Sequence, residues 1–362
     1  MHFQTKQQVF DIRKIEIENG TTFPILTFAT WETLPGIRHC FTTRAGGVSE
    51  GYLASLNFRR DSYDTQENIL ENLRRIALYF DTTPDRIVSA HQTHTANVRI
   101  VTEADAGKGA ARPLDYTDID GLITDVPGLV LFTTHADCPP LYFYDPVRRV
   151  IALSHSGWKG TVARIGAVTI RKMQDHFGCR PEDIHAAIGP SICRDCYEIS
   201  EDVAEPFRAC FGKPDPAASA SGPSETNPDA LKSDSSPVDT VPGSSESDSS
   251  PLDADSSVPA EDSGTLDTEH GVPKSDSSPL DAATDSGTLW EIPRILARGK
   301  NPGKYQLDLW AANARILLEA GITPGHLTVT NLCTCENSTE LFSHRATGGK
   351  RGLQGAFLML ED

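Results

Sequence analysis

Long apolar runs are missing from this sequence of 362 residues. No run approaches the roughly 18 residues that a membrane-spanning helix needs, and residues 1–10 are too polar for a secretory signal peptide. The sequence also lacks a G-x-G-x-x-G fingerprint and a Walker loop, two familiar Gly-rich phosphate-binding motifs. These absences predict a cytoplasmic protein without a membrane partner. Nothing in the composition predicts a nucleic-acid partner or a particular oligomeric state.

Aromatic residues are absent from one stretch, residues 213–288, in which Ser, Asp, Pro, Gly and Ala predominate. An S-D-S-S-P-(V/L)-D repeat begins there at positions 233, 247 and 275. The stretch holds 16 acidic residues and 3 lysines, and so carries −13 of the chain's net charge of −17. Such a composition buries too little surface to offset its ordering entropy, which predicts a disordered acidic insert. We expect a tolerated surface loop inside one domain made of residues 1–212 and 289–362; a partner-binding acidic segment is the alternative.

Hydrophobic periodicity predicts three helices and six strands. Thr65 is placed to cap the first helix, and Gly321 to end the third. The apolar helix faces are Ile69, Leu73, Ile76 and Phe80; Val162, Ile165, Ile170, Met173 and Phe177; and Leu307, Trp310, Ala314 and Leu317. The strands are 38–43, 129–133, 141–144, 150–154, 184–188 and 326–331. Because strands and helices are mixed without a regular βαβ repeat, the fold class is α+β.

Three short segments each carry a candidate ligand for one soft metal ion. They are His94 in A-H-Q-T-H-T, Cys138 in H-A-D-C-P-P, and His155 in L-S-H-S-G-W-K-G. Two imidazoles and one thiolate suit Zn²⁺ and leave a fourth position for water or substrate, as in catalytic zinc sites. A single Cys or His is more often a packed core residue, but polar and Gly-containing flanks after a strand favour a site. Asp137 either orients a ligand or simply forms a turn.

The hairpin register brings two of these ligands together. Two predicted strands flank a D-P-V-R turn at 145–148. With Tyr144 opposite Arg149, Cys138 falls opposite His155, and opposed residues have Cβ atoms about 4.5–5.5 Å apart. The two prolines after Cys138 cannot donate to the ladder, so Cys138 lies at the end of the paired region or just beyond it.

The eight cysteines are expected to be reduced in the cytoplasm. Cys193 and Cys196 form a C-x-x-C motif, and Cys333 and Cys335 a C-x-C motif. Together they suggest a four-cysteine zinc site, but the second spacing is short and Tyr197 follows directly as if packed. The sequence therefore disfavours a structural zinc here, and the thioredoxin-like context needed for redox chemistry is missing.

Seven motifs occur in a fixed order over almost the whole chain outside the insert. They are F-T-T-R-A-G-G-V-S-E-G with S-L-N-F (41–58), H-Q-T-H (91–94), D-G-L-I-T-D (120–125), A-D-C-P-P-L (136–141), S-H-S-G-W-K-G-T (154–161), A-A-I-G-P-S-I with C-Y-E-I (186–199), and N-L-C-T-C (331–335). The sequence thereby resembles the laccase-domain family of multi-copper-oxidase-like proteins, better described as purine nucleoside phosphorylases. The resemblance implies a layered α/β/β/α sandwich with mixed sheets. It also implies that His94, Cys138 and His155 are the metal ligands.

The resemblance implies a zinc-dependent enzyme that cleaves inosine, adenosine, guanosine or methylthioadenosine with phosphate, and deaminates adenosine as a side activity. Copper is the alternative metal. Catalysis is expected from Cys138, His155 and Asp137. Substrate or phosphate contacts are expected from Arg44, Asn57, Gln92, Lys159, Arg345 and Arg351.

Several basic residues are candidate phosphate ligands. Arg44 precedes a Gly-Gly turn whose amides suit an anion, whereas Lys350 is better read as a solvated charge. Two positions depart from the family pattern: Lys159 stands where an Arg is usual, and His344 where a Tyr is usual. Lys in place of Arg removes a bidentate contact to phosphate.

Three other functions remain open from the sequence. Cys138 beside His155 also suits a thiol hydrolase, and a metal-binding scaffold without catalysis would carry the same ligands. A laccase would need several copper ions, whereas the sequence offers one evident cluster of soft ligands. His91 and His135 lie near the ligands, and an imidazole at either position suits a general acid.

Overall fold

The computed structural model describes residues 1–17, 20, 22–59, 64–211 and 295–362. The predicted disordered insert at 213–288 lies outside the described residues. Its disorder, and the domain boundaries drawn from it, therefore stay predictions.

Fifteen strands and six α-helices are found in the described part of the chain. The strands are β1 (Phe10–Glu16), β2 (Thr22–Phe28), β3 (Ile37–Thr42), β4 (Ile87–Ser89), β5 (Val98–Ile100), β6 (Gly121–Thr124), β7 (Val130–His135), β8 (Pro140–Asp145), β9 (Val150–His155), β10 (His185–Ile188), β11 (Glu198–Ile199), β12 (Leu296–Arg298), β13 (Tyr305–Leu307), β14 (Leu327–Val329) and β15 (Gln354–Leu360). The helices are α1 (Gln66–Ala77), α2 (Trp158–Val162), α3 (Ile165–Phe177), α4 (Glu201–Phe211), α5 (Leu309–Glu319) and α6 (His344–Thr347).

Two six-stranded mixed sheets form the framework. The first has the order β1-β2-β3-β15-β7-β4 and is antiparallel except at the β4–β7 edge. The second has the order β14-β10-β8-β9-β6-β5, with antiparallel pairs in its centre and a parallel pair at each edge. A smaller antiparallel sheet has the order β11-β13-β12.

The two large sheets pack face to face, and helices cover their outer faces. Tyr142 of β8 and Leu131 of β7 belong to one apolar cluster between the sheets. Their chain neighbours point the other way, because successive strand residues alternate between faces: Phe132 packs with α1 and Phe143 with α3 and α5. The layers are therefore α/β/β/α, and the predicted fold class is confirmed.

Local signals explain where the helices begin and end. The Thr65 hydroxyl accepts a hydrogen bond from the Asn68 amide and caps α1 as predicted. The second predicted helix is in fact two, because Arg164 adopts a φ of +58° and separates α2 from α3. Leu307, expected on the third helix, instead ends β13. None of the described helices has both the length and the apolar composition needed to cross a membrane.

The predicted hairpin forms, but its register is shifted by two residues. Asp145 pairs with Val150, and Pro140 rather than Cys138 lies opposite His155. The reason is the turn: Arg149 adopts a φ of +52° and belongs to the loop rather than to β9. The Asp145 carboxylate accepts hydrogen bonds from two amides of that loop, at 2.8 and 2.9 Å. Cys138 thus lies beyond the ladder, in the loop before β8.

Candidate metal centre

The three predicted ligands lie close together, although the predicted register of the β8–β9 hairpin was wrong. One donor atom from each of His94, Cys138 and His155 lies within 4.8 Å of the others. His155 ends β9, Cys138 lies in the loop between β7 and β8, and His94 in the loop between β4 and β5. The two imidazole rings lie edge to face with centroids 4.9 Å apart. Three separate segments thus converge at one end of the second sheet.

A buried carboxylate that sequence reasoning missed organises this centre. Asp120, fully buried just before β6, accepts a hydrogen bond from His155 Nδ1 at 2.8 Å. It also accepts from the amides of Thr93, His94 and Thr95 at 2.8–3.1 Å, and from the Thr95 hydroxyl. Its signal was in the sequence, since Asp120 opens the D-G-L-I-T-D motif.

The Asp120 network selects which ring nitrogen of His155 faces the centre. Because Nδ1 donates to the carboxylate, Nε2 is the nitrogen left to face the other two ligands, and it would release its proton on binding a metal ion. Metal-binding histidines are commonly held in this way by a carboxylate. The donor set of two imidazoles and a thiolate therefore fits a soft divalent ion such as Zn²⁺.

Charge interactions keep the Cys138 thiol ionised in the metal-free protein. Burial alone would raise its pKa, but hydrogen bonds and charge from His155 and His94 lower the pKa to about 6. Burial would lower the pKa of His155, yet the Cys138 thiolate and Asp120 raise it to about 9. For Asp120, burial is outweighed by His155 and Thr95, which hold the pKa at about 2. A thiolate is thus available near neutral pH, as metal binding requires.

Gly157 leaves the space in which the ligands meet. A Cβ atom added there would lie 2.7 Å from His94 Cδ2, 3.2 Å from Cys138 Sγ and 3.5 Å from His155 Cε1. The Gly157 φ of −65° is open to any residue, so the requirement for glycine here is purely spatial.

Asp137 has a structural task beside the centre. Its φ of +87° lies in a region that residues other than glycine rarely adopt. Its carboxylate accepts hydrogen bonds from the Thr334 hydroxyl at 2.6 Å and the Arg345 amide at 2.7 Å, and its carbonyl accepts from the Ile192 amide. Asp137 therefore fixes the loop that carries Cys138, which supports a positioning role for it.

A cationic cluster lies close to Asp137 and Cys138. The Arg351 Nε is buried and has no hydrogen-bond partner within the described part of the chain. Burial and the neighbouring Arg59 lower the pKa of Arg351, while the negative charges of Asp137 and Cys138 raise it. Burial, followed by the charge of Arg351, lowers the pKa of His344. Arg59 and His344 were not among the predicted site residues, and the unpaired Nε of Arg351 makes this cluster a candidate anion site.

Three predicted substrate residues make contacts within the protein itself. Both ends of the Gln92 amide bond Thr134 of β7, at 2.7–3.1 Å. The buried Asn57 side chain bonds Arg59, Asp64 and Leu353. Arg44 donates through Nε and one terminal nitrogen to the carbonyls of Ala54 and Ser338. These contacts support structural roles: Gln92 fixes the His94 loop to the first sheet, while Asn57 and Arg44 fix the 44–59 segment.

The remaining basic candidates differ in their setting. Lys159 is exposed in the first turn of α2, with its ammonium over the Trp158 ring. The Arg345 side chain donates to the carbonyls of Cys196 and Glu198 and lies over the Tyr197 ring. Arg345 therefore ties α6 to the 196–198 segment.

The two candidate general acids, His135 and His91, differ in burial and in their hydrogen bonds. His135 is buried, with Nδ1 on the Cys138 carbonyl at 3.0 Å and Nε2 on the Thr133 hydroxyl at 2.8 Å. Burial, and then the nearby His155, lower its pKa well below the usual value, so His135 is neutral and engaged. His91 is exposed, and its Nδ1 accepts from the Asp118 amide. The environment of His135 argues against its predicted use as a general acid.

A cavity of about 500 Å³ occurs elsewhere in the described residues, between β1, β3 and the segment at Leu78 and Tyr79. Its lining includes Trp31 and His39 but none of the predicted site residues. The candidate chemistry therefore belongs to the converging loops and not to this cavity.

Comparison with known proteins supports the same segments. The family model described as multi-copper polyphenol oxidoreductase laccase matches residues 38–231 and 282–361, well over half of the chain. The protein named purine nucleoside phosphorylase YlmD of Bacillus subtilis (strain 168) is 29% identical over 325 residues, covering 89% of this chain and 88% of the relative. The protein named adenosine deaminase RL5, from an unknown prokaryotic organism, is 29% identical over 184 residues, covering 49% and 68%. The crystal structure of YlmD from Geobacillus stearothermophilus matches with a TM-score of 0.66 and 26% identity, covering 97% of this chain and all of that one.

Proposed function

This chain belongs to the multi-copper polyphenol oxidoreductase laccase family, and on that basis we propose that it is a zinc-dependent purine nucleoside phosphorylase. The observation that carries the proposal is the convergence of His94, Cys138 and His155, with His155 oriented by Asp120. Relatives over most of the chain's length are named purine nucleoside phosphorylases, which supports inosine, adenosine, guanosine or methylthioadenosine as the substrate class.

The three ligands would hold Zn²⁺, with Cu²⁺ as the alternative ion for the same donors. A zinc ion held by three protein ligands supplies a Lewis acid that polarises an oxygen atom. The protein's own part is to keep the Cys138 thiolate ionised and to direct Nε2 of His155 towards the ion. Asp120 fixes the ring by accepting a hydrogen bond from Nδ1, and Gly157 keeps the space clear.

The second reactant is phosphate, and the Arg351 cluster is its proposed binding site. Phosphorolysis forms a bond from a phosphate oxygen to C1′ of the ribose and breaks the C1′–N9 bond, so that the base departs. The buried Nε of Arg351, which has no hydrogen-bond partner among the described residues, matches a phosphate oxygen; Arg59 adds positive charge, and His344, whose pKa is lowered, offers an imidazole beside it. Arg345 is the further candidate, at the N-terminal turn of α6, whereas Lys159 would act only as a mobile surface charge.

Adenosine deamination is the second candidate activity, because the relative RL5 is named an adenosine deaminase. A Cys138 thiol hydrolase is the third, because the metal-free pair of Cys138 and His155 forms an ion pair that suits a nucleophile. The metal-dependent mechanisms and the thiol mechanism differ in what zinc does. Zinc would support the phosphorylase or deaminase, whereas it would block the Cys138 thiol of the hydrolase. A non-catalytic scaffold would bind metal with no turnover at all.

The test combines metal analysis with product analysis of purified protein. Phosphate-dependent release of hypoxanthine from inosine would support the phosphorylase, and ammonia release from adenosine the deaminase. Protein that binds zinc but leaves all four nucleosides unchanged in phosphate would overturn both. Turnover that survives zinc removal would point to the thiol hydrolase.

A single substitution tests the proposed phosphate site separately from the metal centre. Arg351→Gln should retain zinc and raise the phosphate KM by about 10–100-fold, because a charge-assisted hydrogen bond contributes about 1.5–3 kcal/mol. Arg171→Gln, on the exposed face of α3, is the matched control and should leave the phosphate KM unchanged. An unchanged KM in Arg351→Gln would place phosphate elsewhere.

We also propose that residues 213–288 are dispensable. Their repeat composition and lack of aromatic residues motivate this. Joining Gly212 to Leu289 through a short Gly/Ser linker should leave turnover within a factor of about two and the Tm nearly unchanged. Loss of folded protein or of most activity would show that the insert has a task in the fold or the site.

A further inference from the structure

A second group of soft donors lies apart from the centre described above. Among the residues that the structure describes, the donor atoms of Cys193, Cys196, Cys333 and Glu336 lie within 4.8 Å of one another. The sequence disfavoured a zinc site here because the C-x-C spacing is short. The structure resolves that objection, because Glu336 joins the group in place of the second cysteine of the C-x-C motif.

Backbone hydrogen bonds build this group from two segments. The Cys196 amide donates to the Cys193 carbonyl, so the C-x-x-C motif is folded into a single tight turn. Ser191 and Cys333 form a parallel bridge, and the Thr334 amide donates to the Ser191 carbonyl at 3.1 Å. The two segments are therefore held side by side by main-chain contacts that do not involve the thiols.

The spacing of the donors is near that of a tetrahedral site. Thiolates 2.3 Å from zinc at the tetrahedral angle lie about 3.8 Å apart. The Cys193 sulfur lies 3.8 Å from Glu336 Oε1. The donor atoms of the other pairs are at most 4.8 Å apart, and small side-chain rotations would bring them to the tetrahedral spacing. The Cys193 amide also donates to the Cys333 sulfur at 3.3 Å, a contact that stabilises a thiolate.

The composition of the group argues against three ordinary packed cysteines. Cys40 shows the ordinary case, a thiol buried among apolar side chains of the first sheet and α1. In the second group, three thiols surround one carboxylate, and Glu336 and Cys196 leave one side accessible. A bound divalent ion would displace the thiol protons and hold the resulting thiolates and the carboxylate together.

We propose that Cys193, Cys196, Cys333 and Glu336 bind one Zn²⁺ as a structural site. The ion joins the C-x-x-C turn to the 333–336 segment. Both segments contact Asp137, through the Ile192 amide and the Thr334 hydroxyl. The second ion thus fixes the residues that hold the Cys138 loop, and the proposal stands independently of the enzyme's substrate.

The test counts zinc in the full-length protein after chelation and reconstitution under reducing conditions. Wild type should bind two ions per chain, Cys138→Ala one, Cys333→Ser one, and the double variant none. Cys210→Ser is the matched control and should still bind two, since its thiol contacts the Val162 carbonyl and Arg164 and belongs to neither group of donors. One ion in wild type, with none in Cys138→Ala, would overturn the proposal.

Cobalt substitution identifies the ligands without any activity measurement. Co²⁺ in Cys138→Ala should give thiolate charge-transfer absorption about three times that of Co²⁺ in Cys333→Ser, because three thiolates replace one. Equal intensities would contradict the assignment. If Cys333→Ser fails to fold, the single cobalt spectrum of Cys138→Ala still decides, because it must show a tetrahedral, thiolate-rich site.

Two further measurements separate the competing arrangements. Cys335→Ser should keep two zinc ions, whereas Glu336→Gln should lose or weaken the second; the reverse pattern would overturn the carboxylate assignment.

Thiol titration of denatured, unreduced protein as isolated should find all eight cysteines free. Six free thiols, with a disulfide mapped to this group, would replace the metal site by a redox bond.

Discussion

The two donor groups differ in chemistry and in access. The first, His94, Cys138 and His155, has two imidazoles and one thiolate, leaves one tetrahedral position, and interacts electrostatically with Arg351 through Cys138. The second, Cys193, Cys196, Cys333 and Glu336, offers four protein donors and no vacancy. Three ligands with an open position are typical of catalytic zinc, and four are typical of structural zinc. The contrast favours a catalytic role for the first group and a structural role for the second.

The sharpest test of this contrast removes the thiolate of the first group. Cys138→Ala should reduce nucleoside turnover by a factor of ~10³ or more, because the several kcal/mol that a metal contributes would be lost. The Tm should fall little, and the second group should keep its ion. Steady-state assays with metal analysis measure both effects.

The result can fail in two informative ways. Full zinc occupancy without turnover would make Cys138 a nucleophile instead of a ligand. Loss of both ions in Cys138→Ala would show that the groups are coupled, and the division between chemistry and architecture would then be wrong.

Asp120 is the next largest expected effect, since it orients only the first group. Asp120→Asn should weaken zinc binding there by about 10–100-fold, the usual range for a residue that orients a ligand. An amide cannot accept from the three loop amides, the Thr95 hydroxyl and His155 together, so the Tm should also fall.

Asp118→Asn is the matched control for this variant. Asp118 accepts from the Thr93 hydroxyl of the same loop but makes no contact with His155. Wild-type zinc affinity in Asp120→Asn would show that His155 needs no orienting carboxylate.

Gly157→Ala tests the space of the first group alone. The added methyl lies 2.7 Å from His94 Cδ2, so this ring must move and the zinc affinity should fall about tenfold, or roughly 1.4 kcal/mol. The second group should be unaffected. Gly325→Ala, where an added Cβ meets nothing within 4 Å, should change neither affinity. Competition with a chromophoric chelator measures both values, and an unchanged affinity in Gly157→Ala would mean that His94 is not a ligand.

The mixed α+β class was predictable from apolar runs and helical periodicity, and each candidate ligand stands in its own short motif. The layered sandwich, and the assignment of the three ligands to one ion, were implied by the resemblance that the ordered motifs carry. The hairpin register was not predictable, because Arg149 adopts a left-handed conformation that such a residue usually avoids, and the turn therefore lies one position further along the chain, between Asp145 and Val150.

Partners brought together by tertiary folding were also out of reach. The contacts of Gln92 with Thr134, and of Asn57 with Leu353, join segments far apart in the chain. The same distance hid the meeting of Glu336 with Cys193. The helix α4 was missed because its sequence ends beside the acidic insert and contains Pro206, which weakens a helical pattern.

The smallest effect expected is a difference in thiol reactivity between the two groups in metal-free protein. The pKa of Cys138 is lowered to about 6, so its thiolate persists above pH 6 and falls about tenfold per unit below it. Burial, followed by the thiols of Cys193 and Cys335, raises the pKa of Cys196 to about 12, so Cys196 stays protonated at neutral pH. At pH 7, iodoacetamide should therefore modify Cys138 well before Cys196, as followed by peptide mass spectrometry, and zinc should protect Cys138. Equal rates at pH 7, or a Cys138 rate that still rises tenfold per unit between pH 7 and 8, would mean that His155 does not stabilise the thiolate.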